Sequence, residues 1–208
     1  RVFENDLGGN TGGMGCYTPP EFWSDELEIS ILNKIIEPTI NAMRKNDSPF
    51  KGMLYTGLMI TSDGPKVIEY NCRFGDPESE LIMPMFEGEI LDTFLDVANS
   101  NLKNNSVRWK NKKGLCVVMC SEGYPEKYKS GYEINGLDEI DKKIICFHSG
   151  TVISNNKVVS NGGRVLVLSN IDDSINECRN NIYSEIQKIS FENSFYRKDI
   201  GLRAIENE

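Results

Sequence analysis

Apolar residues recur at helical spacing through Leu27, Ile31, Leu32, Ile35, Ile36, Ile40 and Met43, behind an Asp25, Glu26 and Glu28 cluster that favours a helix start. Pro38 lies inside the run, so the pattern predicts a kink or two separate helices. The period then shortens. Met53 to Thr61 and Lys66 to Asn71 read as strands joined by Ser62-Asp63-Gly64-Pro65, whose Asp-Gly pair is expected to supply the positive backbone angles of a tight hairpin. A polar stretch from Cys72 to Glu80 follows, and Ile90, Phe94, Leu95 and Val97 mark an amphipathic helix near Glu89 to Leu102. Further strands are predicted at Leu115 to Cys120, Lys143 to His148, Gly150 to Ile153 and Arg164 to Leu168, with a helix near Asp172 to Ile189. Residues 5 to 20, rich in Gly, Asn, Thr and Pro, predict a structured loop, neither helix nor strand.

Asn101 to Lys113 is polar and rich in Asn and Lys, which makes it the expected linker. A boundary near residue 112 divides the chain into domains 1–112 and 113–208. No internal repeat or low-complexity segment interrupts either.

Composition changes this picture in three ways. With 39% hydrophobic and 26% charged residues, the 208-residue chain lies within the range of folded globular proteins. A net charge of -8 provides no general basic field, so nucleic acid and acidic membranes are not expected partners, although a pocket can be locally positive. Six widely spread cysteines, no C-x-x-C pair and a single His argue against zinc. Cys116 and Cys120, inside an apolar run, fit buried thiols of a reduced cytoplasmic protein. No run of about 18 apolar residues exists and no apolar signal segment follows Arg1, so neither spanning nor export is expected. Without an initiator Met, Arg1 reads as a cut or cleavage point.

Candidate chemistry gathers around the predicted hairpin. Alternation along Lys66-Val67-Ile68-Glu69-Tyr70-Asn71 puts Glu69 and Asn71 on one face, about 7 Å apart at their Cα atoms. Two hard oxygen donors at that spacing suit a Mg²⁺ ion that also takes phosphate oxygens; a solvated strand face is the alternative. Arg73-Phe74-Gly75-Asp76-Pro77-Glu78-Ser79-Glu80 follows directly. Arg73 can grip a carboxylate or phosphate in a two-pronged way, and Asp76 and Glu78 can hold an amine or sugar hydroxyls. Alternatively, Arg73 and Asp76 close the turn as an ion pair. In Asn10-Thr11-Gly12-Gly13-Met14-Gly15 the glycines let backbone amides approach an anion, or make a plain tight connection. Asn161-Gly162-Gly163-Arg164 reads as a phosphate contact through Arg164 or as a hairpin turn, and His148 as a core or turn residue.

Arg-Phe-Gly-Asp-Pro-Glu after the hairpin, Asn-Thr-Gly-Gly-Met-Gly before it, Gly-Gly-Arg-Val and Phe-Tyr-Arg-Lys-Asp-Ile-Gly at residues 195 to 201 together resemble phosphoribosylamine-glycine ligase. This family is also called glycinamide ribonucleotide synthetase and is of the ATP-grasp type. The resemblance runs over nearly the whole chain. It implies an α+β fold: the C-terminal half of an antiparallel ATP-grasp domain followed by a small mixed domain. It also implies that glycine is joined to 5-phosphoribosylamine at the expense of ATP, through a glycyl phosphate, giving glycinamide ribonucleotide, ADP and phosphate in purine biosynthesis. By position, Glu69 and Asn71 match the ligands of Mg²⁺ or Mn²⁺ that accompany ATP, and Arg73 matches the catalytic Arg near the acyl phosphate. Asp76 and Glu78 would line the glycine or ribosylamine pocket, with Asn10, Thr11, Gly12, Gly13 and Arg164 as further substrate contacts. Gly9 stands where the family usually has Pro, and Cys16 where a small residue such as Ala is common. The N-terminal half, with its nucleotide-gripping residues, would precede Arg1, so the isolated chain is expected to be inactive. Another ATP-grasp ligase or carboxylase, and a noncatalytic binding domain that keeps the fold, are the alternatives.

Overall fold

The computed structural model describes residues 1–103 and 107–206. Along the chain, β1 (Gly15–Thr18) leads to α1 (Asp25–Ile31), a π turn at Leu32–Ile36, α2 (Glu37–Lys45), β2 (Tyr55–Thr61) and β3 (Gly64–Asn71). Next come α3 (Ser79–Met85), β4 (Phe86–Glu87), α4 (Ile90–Ala98) and β5 (Arg108–Trp109). The remainder comprises β6 (Lys113–Ser121), β7 (Ile145–His148), β8 (Thr151–Ser154), β9 (Lys157–Ser160), β10 (Arg164–Asp172), α5 (Ile175–Glu185), β11 (Ser194–Phe195) and α6 (Leu202–Glu206). Every strand pair is antiparallel, which makes the fold α+β.

These elements gather into two compact units. One contains Arg1–Pro20, Asp76–Met85 and Lys110–Glu208; the other contains Glu21–Gly75 and Phe86–Trp109. A single cut near residue 112 does not separate them, because β1 adds to β6 and α3 packs its Leu81 and Met85 over Gly114 of the same strand. The expected linker is also partly structured. Arg108–Trp109 pairs with Phe86–Glu87, while residues 104–106 of that stretch lie outside the described residues.

The first unit is built on the sheet β1-β6-β10-β7, with β11 pairing β6 beyond the end of β1. Both faces of β6 are covered, which explains its unbroken apolar run. Leu115, Val117 and Met119 join Ile175, Cys178, Ile182 and Ile186 of the α5 layer, whereas Cys116, Val118 and Cys120 face Met14, Val2 and Leu81. Gly15–Thr18 therefore corrects the expectation of a loop: its backbone completes the edge of β6, a partner about a hundred residues away. The Gly162–Gly163 segment is likewise not a hairpin turn. It carries the chain from the β8–β9 pair into β10, and a Cβ on Gly150 would lie 2.8 Å from the Gly162 Cα, so the pair permits close backbone approach.

In the second unit, Ser24 caps α1 by accepting the Leu27 amide at 3.2 Å. The split into two separate helices, one of the two outcomes expected at Pro38, does not occur: the backbone stays right-handed through the π turn, whose altered hydrogen-bond step accommodates the N–H that Pro38 lacks. The Thr39 hydroxyl lies 2.7 Å from the Ile35 carbonyl and 2.8 Å from the Tyr70 hydroxyl, linking the helix to the hairpin. In the hairpin turn only Gly64 of the Asp-Gly pair takes a positive φ, +99°, because the Thr61 side chain braces the turn at the Asp63 amide and the Gly64 carbonyl.

Candidate functional site

Strand β3 is irregular where its chemistry lies. Val67 opposes Leu58 and Glu69 opposes Gly57, so Ile68 is an extra, bulged residue whose side chain is exposed. A bulge re-aims the strand beyond it. Glu69 can then lie over Gly57, where a Cβ would sit 3.1 Å from the Glu69 Cγ. The side chains of the predicted trio connect in series: Asn71 Nδ2 donates to Glu69 Oε1 at 2.9 Å, and Arg73 NH2 donates to Asn71 Oδ1 at 3.3 Å. Arg73 NH1 also donates to the Phe74 carbonyl at 2.8 Å, which fixes the guanidinium beside the end of the strand. Glu69 and Arg73 are exposed and Asn71 is half-buried. One carboxylate and one amide oxygen on adjacent positions of a strand face form a donor set suited to Mg²⁺ that takes its other ligands from phosphate and water. Phe74 packs on Phe94, with ring centroids 5.7 Å apart, and lines a cavity of about 450 Å³ with Lys51, Met53 and Val97.

The second cluster belongs to the first unit and centres on Arg164. Its NH1 donates to the Asp76 carbonyl at 2.7 Å, the Gly12 carbonyl at 3.0 Å and the Gly13 carbonyl at 3.4 Å, and lies 3.2 Å from Asp76 Oδ1. Asp76 thus takes Arg164 as its ion partner. Glu78 is half-buried and its carbonyl accepts the Leu81 and Ile82 amides, starting α3. Asn10 is exposed. The loop amides expected to face an anion are engaged internally: Gly12 N donates to the Tyr124 hydroxyl at 3.0 Å and Gly13 N to Thr11 Oγ1 at 3.1 Å. His148 is exposed at the β7–β8 turn, where Nδ1 lies 3.0 Å from Thr151 Oγ1.

Sequence reasoning missed Tyr124. Its ring lies against Gly163 and it helps line an open cleft of about 840 Å³ with Gly8, Gly9, Phe3 and Phe195. The available signal was Gly123-Tyr124-Pro125 directly after an apolar strand. Also missed was the cross-strand pair Cys16 and Cys116, whose Sγ atoms lie 3.4 Å apart and both approach the Pro77 carbonyl. The Cys116 hydrogen bond and burial hold the Cys16 thiol well above its ordinary value, so it is a protonated packing group.

The sequence model described as phosphoribosylglycinamide synthetase, ATP-grasp (A) domain, matches residues 1–79, and the one described as phosphoribosylglycinamide synthetase, C domain, matches residues 114–203. The chain is 44% identical over 201 residues to a phosphoribosylamine–glycine ligase of Caldanaerobacter subterraneus, covering 97% of this chain and 48% of the relative. It is 42% identical over 207 residues to the trifunctional purine biosynthetic protein adenosine-3 of Gallus gallus, covering 99% of this chain and 21% of that one. The crystal structure of phosphoribosylamine–glycine ligase from Thermotoga maritima superimposes with a TM-score of 0.84 at 30% identity, over 96% of this chain and 49% of that one. The chain therefore spans about half the length of the single-function ligases it matches. With both synthetase models falling in order along one sequence, the chain belongs to the phosphoribosylglycinamide synthetase family.

Proposed function

We propose that this chain supplies the C-terminal half of an ATP-dependent ligase that joins glycine to 5-phosphoribosylamine, releasing glycinamide ribonucleotide, ADP and phosphate. The observation that carries the reading is the hydrogen-bonded series Glu69–Asn71–Arg73 at the end of β3, within a chain matched by the synthetase models on both sides. In a glycyl-phosphate route, clustered negative charge must be screened while an uncharged amine attacks. Glu69 and Asn71 would hold Mg²⁺ or Mn²⁺, which when bound supplies charge screening for the phosphates of ATP. Arg73, positioned by the Phe74 carbonyl and the Asn71 amide, places a fixed cation beside that pair for the acyl phosphate.

Asn10, Thr11, Asp76 and Glu78 are proposed to face the glycine or phosphoribosylamine pocket, with Gly12, Gly13 and Arg164 as the frame that shapes it. The N-terminal half that the relatives carry would provide the remaining nucleotide contacts, so this chain alone is expected to be inactive. The proposed location is the cytoplasm, where six free thiols persist; no helix among the described residues is long and apolar enough to cross a membrane. The division into domains 1–112 and 113–208 is retained as a proposal about family modules, and is distinct from the compact units. Glu69→Ala in the completed ligase tests the metal assignment. Metal-dependent turnover should fall by about 100-fold or more, and unchanged turnover across a Mg²⁺ titration would remove Glu69 from the site.

A further inference from the structure

We propose that Arg164 and Tyr124 are positioning residues, which set the Asn10–Gly15 loop against the Asp76–Pro77 turn and act on substrate only through those segments. The inference rests on the proposed function, in which that loop lies at the substrate. Gly12 is held from both sides, its N–H by the Tyr124 hydroxyl at 3.0 Å and its carbonyl by Arg164 NH1 at 3.0 Å. The same nitrogen reaches the carbonyls of Gly13 and Asp76, so one guanidinium ties together segments 88 and about 150 residues distant in sequence. Its charge is matched by Asp76 Oδ1 at 3.2 Å, and its side chain is only 18% exposed. A cation already paired with a carboxylate and donating to carbonyls is a poor receptor for an incoming phosphate.

Local structure is shaped around this clamp. The register of β10 against β6 shifts between Arg164 and Leu166, and the resulting bulge turns the strand at the point where Arg164 leaves it. The glycines supply the fit. A Cβ on Gly12 would lie 3.0 Å from the Arg164 guanidinium carbon, and one on Gly13 would lie 2.5 Å from Pro77 Cδ. One on Gly163 would lie 2.2 Å from the Tyr124 ring. The Gly-Gly pairs are thus close-packing positions and not an open anion nest. The Thr11 hydroxyl, which accepts from Gly13 N at 3.1 Å, keeps its own proton to donate, and with the exposed Asn10 side chain it becomes the loop's contact to a substrate oxygen.

Amide hydrogen exchange of Gly12, followed by NMR in this chain, reads the clamp without any activity. Tyr124→Phe keeps the ring packing but removes the acceptor, and Arg164→Met removes the cation. In both, Gly12 exchange should accelerate by about 10-fold or more relative to Val117 in the core. Unchanged Gly12 exchange in both variants overturns the proposal. In the completed ligase, Arg164→Met should lower kcat/KM for the pocket substrates by about 10- to 100-fold with the KM for ATP held, and combining it with Asn10→Ala should add little further loss. Multiplying losses with an unmoved loop would make Arg164 a direct ligand and also overturn the proposal. Accelerated exchange in a ligase with no turnover would instead sink the functional reading and leave the clamp standing.

Discussion

Gly15 has φ +142°, and a Cβ there would sit 2.4 Å from the Cys116 carbonyl oxygen, whereas Gly131, with φ +93°, has nothing within 4 Å of the same position. Backbone strain alone costs about 1 kcal/mol, and a backbone clash adds to it. Gly15→Ala should therefore destabilise the chain by at least about 2 kcal/mol more than Gly131→Ala in urea unfolding, and equal losses would contradict the packing at β1. A second residue-scale device is ionic. Arg197 bonds Asp199 at 2.6 Å and Asp6 at 3.2 Å, and it donates to the Arg1 carbonyl, tying the N-terminal segment to residues 195–203. The Arg203 hydrogen bond, helped by Arg197, holds the Asp6 carboxyl below its ordinary 3.8, and the Arg197 hydrogen bond does the same for Asp199. Depressed carboxylates stabilise the fold fully above about pH 4 and lose that contribution as pH falls through their lowered values. Urea unfolding between pH 7 and pH 2 should show this loss, and Arg197→Gln should flatten it; an identical pH profile would show that the clasp contributes nothing. Spacing along one strand made Glu69 and Asn71 legible in the sequence. The Arg164 clamp was not legible, because its acceptors are carbonyls that every residue carries and that only folding brings near.

Element by element, the readable parts were those whose period is set by one environment. The α1–α2 run, the β2–β3 hairpin, the apolar runs of β6 and β10, and α5 all stand where their patterns placed them, with bounds shifted by a few residues. Strand β1 was hidden because Gly-Cys-Tyr-Thr gains its strand character only from β6, and α3 because it is short and starts directly after the charged Asp-Pro-Glu segment. The continuous helix through Pro38 was unreadable because a π turn resolves the missing donor without a break. Strand β10 lies between β6 and β7 with Leu168 fully buried, while Ile153 of β8 is 74% exposed. Leu168→Ala should cost about 3 kcal/mol and Ile153→Ala within about 0.5 kcal/mol. Comparable values in chemical denaturation would contradict a central β10 and a peripheral β8.

At the scale of the whole molecule, sequence order and compactness disagree: Arg1–Pro20 and Asp76–Met85 fold with the C-terminal portion, while the candidate metal pair belongs to the other unit. That interleaving follows from strand pairing across the chain, which local composition does not encode. The chain spans about half of its single-function ligase relatives, so the test of function needs the whole ligase. ADP release from the chain completed with the N-terminal half, measured with ATP and Mg²⁺ while glycine and phosphoribosylamine are omitted in turn, addresses the central claim most directly. Release that requires both substrates is the predicted result; release indifferent to glycine, or none from a demonstrably assembled complex, would contradict it.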